Sequence, residues 1–261
     1  MHTHNHQSNA YDLTAVILAA GKGTRMGSNL PKVLHPVAGR PMVHWVVDAA
    51  RAAGASPIVL VVGHEADCVR QQFVSDDDII FVDQPEQLGT GHAVEVCRDV
   101  LTSRSGDAFV LAGDGPLIRD ETLAALATRH HNTNASATLA TAIIDDPTGY
   151  GRIVRDQDDR FERIVEQKNA TDEELAIHEV YPSYACMNIA HMLEALMQLP
   201  RDPLSGEFYL TEVPAMMRRD GLIVEVLPEV PSEDVLSINT PAQLADVDLL
   251  LRRRLQMEAA T

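Results

Sequence analysis

The sequence is poor in aromatic residues and in cysteine. Only 4% of its 261 residues are aromatic, with a single tryptophan, so small aliphatic side chains must fill the core. Such a core suits helices packed on a buried parallel sheet better than it suits a β-sandwich. The three cysteines, Cys68, Cys97 and Cys186, lie far apart and match neither a disulfide framework nor a zinc-binding spacing. We therefore predict that they are buried, reduced thiols.

Positive charge is also scarce. The chain has 21 Lys and Arg against 38 Asp and Glu, a formal net charge of −17. Proteins that bind duplex nucleic acid carry a basic surface, and anionic membranes attract basic segments, so neither partner is expected. No run approaches the roughly 18 apolar residues of a membrane-spanning helix, and the N-terminus lacks the signal-peptide pattern. The sequence therefore predicts a cytoplasmic protein without a membrane partner.

Buried-strand and helix patterns alternate along the first half of the chain. A Gly-rich turn at 21–28 follows the first apolar run. Continuous apolar runs predict strands at 14–20, 57–63, 79–83 and 108–112, and helical spacing of apolar residues predicts helices at 41–54, 65–73 and 91–101. This alternation is typical of βαβ units in a doubly wound sheet.

The pattern changes after about residue 135. We predict strands at 136–144 and 222–228, a hairpin over 150–167 with its turn at 156–159, an extended segment at 179–189, and helices at 190–199, 207–219 and 240–258. Together these elements predict an α/β fold, with a Rossmann-like, mixed but mostly parallel sheet flanked by helices and a small antiparallel excursion. We expect a disordered tail over 1–13 and one domain over 14–258. Its nucleotide-binding half covers 14–135 and its substrate half covers 136–258.

The Gly-rich turn has the residues LAAGKGTRM at 18–26, followed by PKVL at 31–34. It is neither a P-loop nor a dinucleotide fingerprint, because no glycine precedes a Gly-Lys-Ser/Thr and the third glycine position is Met26. Gly21 and Gly23 leave backbone N–H groups free to point at phosphate oxygens. Arg25 and Lys32 add positive charge to the same loop. In so acidic a chain this grouping indicates phosphate binding, and the alternative is an ordinary solvated loop.

These residues resemble the signature of the sugar-phosphate nucleotidyltransferases. Further matching segments follow in order: EQLGTGHA at 86–93, GDGPL at 113–117, DDPTGYGRI at 145–153, IVEQKNAT at 164–171, GEFYLT at 206–211 and INTPAQL at 238–244. Their order over about 14–250 is similar to that in the uridylyltransferase domain of the bacterial bifunctional enzymes that make UDP-N-acetylglucosamine. The resemblance implies the nucleotide-diphospho-sugar transferase fold. It also implies a reaction in which UTP and N-acetylglucosamine 1-phosphate give the UDP-sugar and pyrophosphate.

The resemblance also implies roles for individual residues. The chemistry needs positioning and charge neutralisation more than it needs acid–base groups. Arg25 and Lys32 are the expected catalytic residues, beside the triphosphate. Asp114 and Asn239 are the expected ligands of a Mg²⁺ cofactor. The expected nucleotide-binding residues are Ala20, Gly21, Gly23, Gln84, Gln87, Gly89 and Thr90, and the expected sugar-binding residues are Gly151, Glu166 and Tyr181. Taken alone, Asp114 also fits a turn-forming Asp-Gly pair, and the two glutamines and Glu166 also fit solvated surface positions.

The chain departs from the family pattern in three ways. Ala112 stands where family members commonly have Tyr, and Tyr181-Pro182-Ser183 stands where they have Asn-Thr-Gly. Because that Asn contacts the sugar in the family, Tyr181 leaves the choice of sugar open. No hexapeptide repeat of a left-handed β-helix follows, so we expect no acetyltransferase activity and no trimer built on such a domain. A monomer or small homo-oligomer is expected.

Two alternatives remain at this level. The same fold and reaction could serve another hexose 1-phosphate, CTP or GTP, or a molybdopterin-type acceptor. A catalytically idle protein that binds nucleotide sugars is the other alternative, but it would be expected to lack Arg25, Lys32 or Asp114, and all three are present. The expected partners in every catalytic case are a nucleoside triphosphate and a phosphorylated acceptor, here a sugar 1-phosphate.

Overall fold

A computed structural model describes residues 12–228 and 230–260. The strands in chain order are β1 (Leu13–Leu18), β2 (Pro36–Val37), β3 (Arg40–Pro41), β4 (Ile58–Val62), β5 (Ile79–Asp83), β6 (Asp107–Ala112), β7 (Ala137–Ala140), β8 (Ala142–Ile143), β9 (Gly151–Arg155), β10 (Phe161–Val165), β11 (Glu179–Tyr181), β12 (Tyr184–Asn188) and β13 (Val224–Leu227). The α-helices are α1 (Met42–Ala52), α2 (Ala66–Arg70), α3 (Thr90–Glu95), α4 (Arg98–Thr102), α5 (Asp120–Asn132), α6 (Asp172–Leu175), α7 (Ile189–Met197), α8 (Val213–Arg219) and α9 (Pro241–Glu258).

A mixed seven-stranded sheet forms the centre of the molecule, in the order β13-β7-β12-β6-β1-β4-β5. The β1, β4, β5 and β6 pairings are parallel, and β12 runs antiparallel to both of its neighbours. A smaller antiparallel sheet has the order β10-β9-β11-β8. The predicted mostly parallel sheet with an antiparallel excursion is thereby confirmed. The small sheet lies near the carboxyl ends of β1 and β6, because Leu18 and Ala112 line the same cavity as Gly151 and Tyr181.

Two apolar layers cover the two faces of the large sheet. Alternate residues of β1 show this division, because Ala15 and Ile17 belong to one buried cluster and Val16 belongs to the other. The layers are built mainly from Val, Leu, Ile and Ala, as the scarcity of aromatics predicted. Cys97 and Cys186 are buried and unpaired, and burial raises the pKa of the Cys97 thiol to about 12. Cys68 is unpaired but half-buried.

Several boundaries differ from the sequence predictions. β1 begins at Leu13, so the predicted tail over 1–13 extends too far, and its first eleven residues lie outside the described part of the chain. The helix predicted at 207–219 begins only at Val213, after a 3₁₀ turn, because Pro214 favours the first helical turn. The helix predicted at 91–101 divides into α3 and α4, and α5 was not predicted.

Two segments predicted as single extended stretches are each divided between the two sheets. The strand predicted at 136–144 becomes β7 in the large sheet and β8 in the small one, and 179–189 becomes β11 and β12 in the same way. The second crossing occurs at Pro182-Ser183, where Ser183 has a φ of 65°, in the left-handed region. Local pattern does not show such a crossing, because both halves remain extended and apolar. Within the described ranges, no helix has the length and apolar character needed to cross a membrane.

Candidate active site

A cavity of about 550 Å³ lies at the carboxyl ends of β1 and β6. In the large sheet β1 lies between β4 and β6. The chain passes from β1 to β4 on one side of β1 and later forms β6 on the other side. In open α/β sheets this is where ligands bind. Of the residues that the sequence predicted for the site, all except Gly23 line this cavity: Ala20, Gly21, Arg25, Lys32, Gln84, Gln87, Gly89, Thr90, Asp114, Gly151, Glu166, Tyr181 and Asn239.

Gly23 lies outside the cavity lining and has a different structural role. Its φ is +61°, and a Cβ atom built on it would lie 2.6 Å from the Cβ of Lys32. A side chain here would therefore push Lys32 away. The Gly-rich turn thus allows Lys32, which begins a short 3₁₀ helix at 32–34, to pack directly against the loop that carries Arg25.

Lys32, Asp114, Asn239 and Arg25 form one polar cluster in the cavity. The Lys32 ammonium donates to the Asp114 carboxylate and, at 2.6 Å, to Asn239 Oδ1. Arg25 Nη2 donates to the same Asn239 oxygen at 2.8 Å. The two predicted metal ligands therefore converge on one positively charged atom. The Lys32 and Asp114 side chains are only 13% and 21% exposed, so solvent screens this pair weakly.

The loop that carries Asp114 is held by tight backbone packing. Gly113 N donates to Leu18 O at 3.0 Å, which joins the loop to the end of β1. The buried Tyr184 hydroxyl donates to Gly115 O at 3.2 Å, and a Cβ on Gly115 would lie 1.7 Å from that hydroxyl. Only glycine fits at 115. These contacts hold the loop, and with it the Asp114 backbone, in a fixed position just after the carboxyl end of β6.

Asn239 is oriented by its own neighbours just before α9. Its backbone N–H donates to Gln243 Oε1 at 2.8 Å, and its Nδ2 donates to Ser237 Oγ at 3.3 Å. Ile238 N donates to Asp114 O at 3.0 Å, so the two ligand segments are joined directly. These bonds turn Asn239 Oδ1 toward Lys32.

Gln84 and Gln87 use their amide nitrogens within the protein. Gln84, which is buried, donates from Nε2 to Gly89 O and contacts His92 Nδ1, both at 3.1 Å. Gln87 Nε2 donates to Ala20 O at 2.7 Å. Neither side-chain carbonyl has a partner in the described part of the chain. These two carbonyl oxygens therefore remain as acceptors on this side of the cavity.

Glu166 and Tyr181 are neighbours in another part of the cavity lining. Glu166 Oε1 accepts a hydrogen bond from Thr211 Oγ1 at 2.9 Å. Burial raises the pKa of Glu166 despite this bond and the positive charge of Lys168. Tyr181 is only 4% exposed, and burial together with the Glu166 carboxylate raises the pKa of its phenol. No described residue bonds to the Tyr181 hydroxyl.

The segment GEFYLT at 206–211 belongs to the matching motifs, but none of its residues was predicted to line the site. Glu207, Tyr209 and Thr211 from this segment line the cavity. The Lys168 ammonium contacts the Tyr209 hydroxyl and lies 4.4 Å from the ring centroid. The place of this segment among the matching motifs was the available signal. Its contact with Glu166 depends on the packing of 210–212 against β10, which no local pattern shows.

Comparisons with known proteins identify the relatives of this chain. Residues 15–198 match the family model described as a MobA-like NTP transferase domain. The chain is 44% identical over 247 residues to the bifunctional protein GlmU of Pelobacter propionicus, covering 95% of this chain and 54% of that protein. It is 42% identical over 241 residues to GlmU of Bacillus cereus strain G9842, covering 92% of this chain and 52% of that protein. The chain therefore spans about half the length of these curated relatives.

Solved structures show the same fold at low sequence identity. One is a putative glucose-1-phosphate thymidylyltransferase from Bacillus anthracis in complex with sucrose, with a TM-score of 0.78, 18% identity and coverage of 92% of this chain and 95% of that one. Another is a UDP-glucose pyrophosphorylase complexed with UDP-glucose, with a TM-score of 0.75, 15% identity and coverage of 92% and 98%. They confirm the nucleotide-diphospho-sugar transferase fold predicted from the sequence.

Proposed function

Because the chain belongs to the MobA-like NTP transferase domain family, we propose that this nucleotidyltransferase joins UTP and N-acetylglucosamine 1-phosphate, giving UDP-N-acetylglucosamine and pyrophosphate. The observation that carries the proposal is one cavity with three chemically different parts. The lining combines the polar cluster around Lys32, the free carbonyl oxygens of Gln84 and Gln87, and the Glu166 carboxylate beside the Tyr181 phenol. The resemblance of the ordered motifs to the uridylyltransferase domain of enzymes that make UDP-N-acetylglucosamine supports this choice of substrates, and the chain is 42–44% identical to two GlmU proteins.

The central cluster suits in-line displacement at phosphorus. An oxygen of the sugar phosphate attacks the α-phosphorus of the triphosphate, and pyrophosphate leaves from the opposite side. Both reactants are anionic, so the site must offset charge and hold them in line. The Arg25 guanidinium is suited to paired contacts with phosphate oxygens, and the Lys32 ammonium supplies a compact charge where negative charge develops. The nucleophile is already ionised, so no general base is needed.

The Asp114–Asn239 pair fits a magnesium ion. Its two oxygens already converge on a cation, the Lys32 ammonium, and carboxylate and amide oxygens are the ligands that Mg²⁺ accepts. Bound there together with phosphate and water oxygens, Mg²⁺ would neutralise charge on the triphosphate. We therefore propose Asp114 and Asn239 as its protein ligands.

The side of the cavity near Gln84 and Gln87 suits a uracil base. Their free carbonyl oxygens accept hydrogen bonds, and uracil carries a donor at N3 where cytosine carries an acceptor. Ala20, Gly21, Gly89 and Thr90 complete this side of the lining. This arrangement supports UTP over CTP.

The part of the lining that holds Glu166 and Tyr181 suits a sugar. The Glu166 carboxylate accepts hydrogen bonds from sugar hydroxyls, and the bond from Thr211 holds it in place. Tyr181 offers a hydroxyl and an apolar ring in place of a small amide. This observation favours a second substrate, glucose 1-phosphate, because a site without the amide discriminates less sharply between the two sugars.

Pyrophosphate release across a matrix of nucleoside triphosphates and sugar 1-phosphates tests the proposal. We expect the highest kcat/KM for UTP with N-acetylglucosamine 1-phosphate and a lower value for UTP with glucose 1-phosphate. Asp114→Ala is the matched inactive control. Higher kcat/KM for another nucleotide, or for an acceptor that is not a sugar 1-phosphate, would contradict the substrate assignment. No release from any pair would contradict the activity itself.

A further inference from the structure

Arg152 is a buried cation without a carboxylate partner. It lies on β9, in the interior of the small sheet, and is only 2% exposed. No carboxylate lies within ion-pair distance of it in the residues that the structure describes, and its Nε atom is buried without a partner there. Burial lowers the pKa of the guanidinium, and only the exposed Asp146 acts in the other direction. Placing such a charge inside a protein costs several kcal/mol, roughly, unless hydrogen bonds offset it.

The hydrogen bonds of Arg152 all go to one loop and to the residue that holds that loop. Nη1 donates to the Tyr150 carbonyl, and Nη1 and Nη2 both donate to Gln167 Oε1 at 3.3 Å. The same Gln167 oxygen accepts the backbone N–H of Gly149. One amide oxygen therefore joins the guanidinium to the loop backbone.

The loop supported in this way forms part of the cavity wall. Gly149, Tyr150 and Gly151 line the cavity, and they lie near Glu166 because Arg152 at the start of β9 pairs with Val165 at the end of β10. Gly149 has a φ of +91°, and Tyr150 N donates to Pro147 O at 3.2 Å, so the loop is a tight turn. The Tyr150 hydroxyl accepts from Ser237 N at 3.2 Å, which ties the turn to the segment before Asn239.

We propose that Arg152 is a positioning residue for the sugar phosphate, which acts through Gln167 to hold the turn at 147–150 against the cavity. This inference rests on the proposed function, because it assigns the turn to the acceptor side of that site. Arg152 itself does not line the cavity, so its effect reaches the substrate only through the turn. A displaced turn misplaces the acceptor, and small misplacements of a reacting group reduce rate strongly.

Two variants test the proposal by comparing the change in KM for the sugar 1-phosphate with the change in KM for the nucleoside triphosphate. Arg152→Met keeps an unbranched side chain but removes the charge and the donors, and Gln167→Met removes only the shared acceptor. We expect each to raise the KM for the sugar 1-phosphate by about tenfold or more and the KM for the nucleoside triphosphate by less than about twofold. Arg152→Lys retains the charge without the planar fork and should restore part of the loss.

Arg155→Met is the matched control. Arg155 lies on the same strand, but it pairs with the Glu179 carboxylate at 2.7 and 2.8 Å and does not contact the turn. We expect its KM values to equal those of the parent. An equal rise of both KM values in the Arg152 and Gln167 variants, no rise, or the same rise in Arg155→Met would overturn the proposal. If Arg152→Met does not fold, the KM values of Gln167→Met still test the proposal, because Gln167 is half-buried and uncharged and its substitution is milder.

Amide hydrogen exchange gives a readout that does not depend on turnover. In Gln167→Met the Gly149 N–H loses its acceptor, and we expect it to exchange about tenfold faster than in the parent, the equivalent of one hydrogen bond. An unchanged exchange rate of the Gly149 N–H would show that Gln167 does not hold the turn, and it would overturn the proposal. A parent that releases no pyrophosphate from any substrate pair would instead refute the proposed function, and the exchange measurement would still test whether Gln167 holds the turn.

Discussion

The substitution Lys32→Met should have two opposite effects, because Lys32 and a metal ion compete for the same oxygens. The Lys32 ammonium is bonded to the Asp114 carboxylate and to Asn239 Oδ1, the two proposed ligands. A divalent ion that binds these oxygens must displace the ammonium. The substitution removes that competitor and a nearby positive charge, so metal binding should become tighter while turnover falls.

The size of the effect follows from the burial of the pair. The two side chains are 13% and 21% exposed, so a charge-assisted hydrogen bond here has a net value of about 1.5–3 kcal/mol. Loss of a competitor of that strength tightens metal binding by about 10- to 100-fold, since each 1.4 kcal/mol or so is tenfold. For the reaction, loss of a positive charge beside the phosphates should lower kcat/KM by about tenfold or more.

Binding of Mn²⁺, a paramagnetic probe of the magnesium site, can be followed by electron paramagnetic resonance without any nucleotide. Lys22→Met is the matched control, because Lys22 lies on the same loop, is exposed, and makes no side-chain hydrogen bond or ion pair with the residues at 12–228 and 230–260. We expect tighter Mn²⁺ binding in Lys32→Met and no change in Lys22→Met. Binding in Lys32→Met that is no tighter than in the parent would refute the reasoning, as would equal tightening in both variants.

Four further predictions concern the same cavity. Asp114→Ala should nearly abolish turnover, and Asn239→Ala should reduce it less because it removes a neutral ligand; parental turnover of both with Mg²⁺ would contradict the metal assignment. Tyr181→Asn should increase the kcat/KM preference for N-acetylglucosamine 1-phosphate over glucose 1-phosphate, and an unchanged ratio would show that the phenol does not contact the sugar. Ser183→Gly should raise the free energy of unfolding by about 0.5–1 kcal/mol, because the left-handed φ of 65° is strained for serine, and denaturant unfolding would measure this. Burial raises the pKa of Glu166 above 4.5, so the contribution of protonated Glu166 to the free energy of unfolding is complete below pH 4.5 and is lost as the pH rises through the pKa of the folded state. Glu166→Gln should therefore unfold at a higher temperature than the parent at pH 8, and the difference between the two unfolding temperatures should shrink toward pH 4.5. A difference that does not change with pH would contradict this prediction.

The elements whose character is local were determined by the sequence alone. The apolar runs of β4 and β5 are continuous; Pro57 and Gly63 bound the first, and Asp78 and Asp83 bound the second, so the strand positions were predicted to within one residue. The same holds for α9, where Thr240 caps the helix and Pro241 occupies its first turn. The glycines and cations of 21–32, together with the ordered motifs, indicate nucleotidyl transfer without any knowledge of tertiary contacts.

The division of the chain between two sheets was decided only by tertiary structure. At Thr141 and at Pro182-Ser183 the chain leaves one sheet for the other while the residues on both sides stay extended. Strand pairing is a choice between partners distant in the chain, and an apolar extended segment fits either sheet. The sequence pattern therefore predicted extended structure correctly at 136–144 and 179–189, but it gave one strand in each segment where the structure has two that pair in different sheets.

The contacts inside the site also depend on tertiary structure. Lys32 meets Asp114 across 82 positions and Asn239 across 207, and both contacts exist because β6 pairs with β1 and α9 begins beside their ends. The sequence named these residues through the motifs they belong to, but it did not show that one ammonium bonds both oxygens. Nor did it indicate a role for Arg152, since a charged residue in a hairpin ordinarily faces water. Its burial is set by the strands on either side of β9, which lie together only in the folded chain.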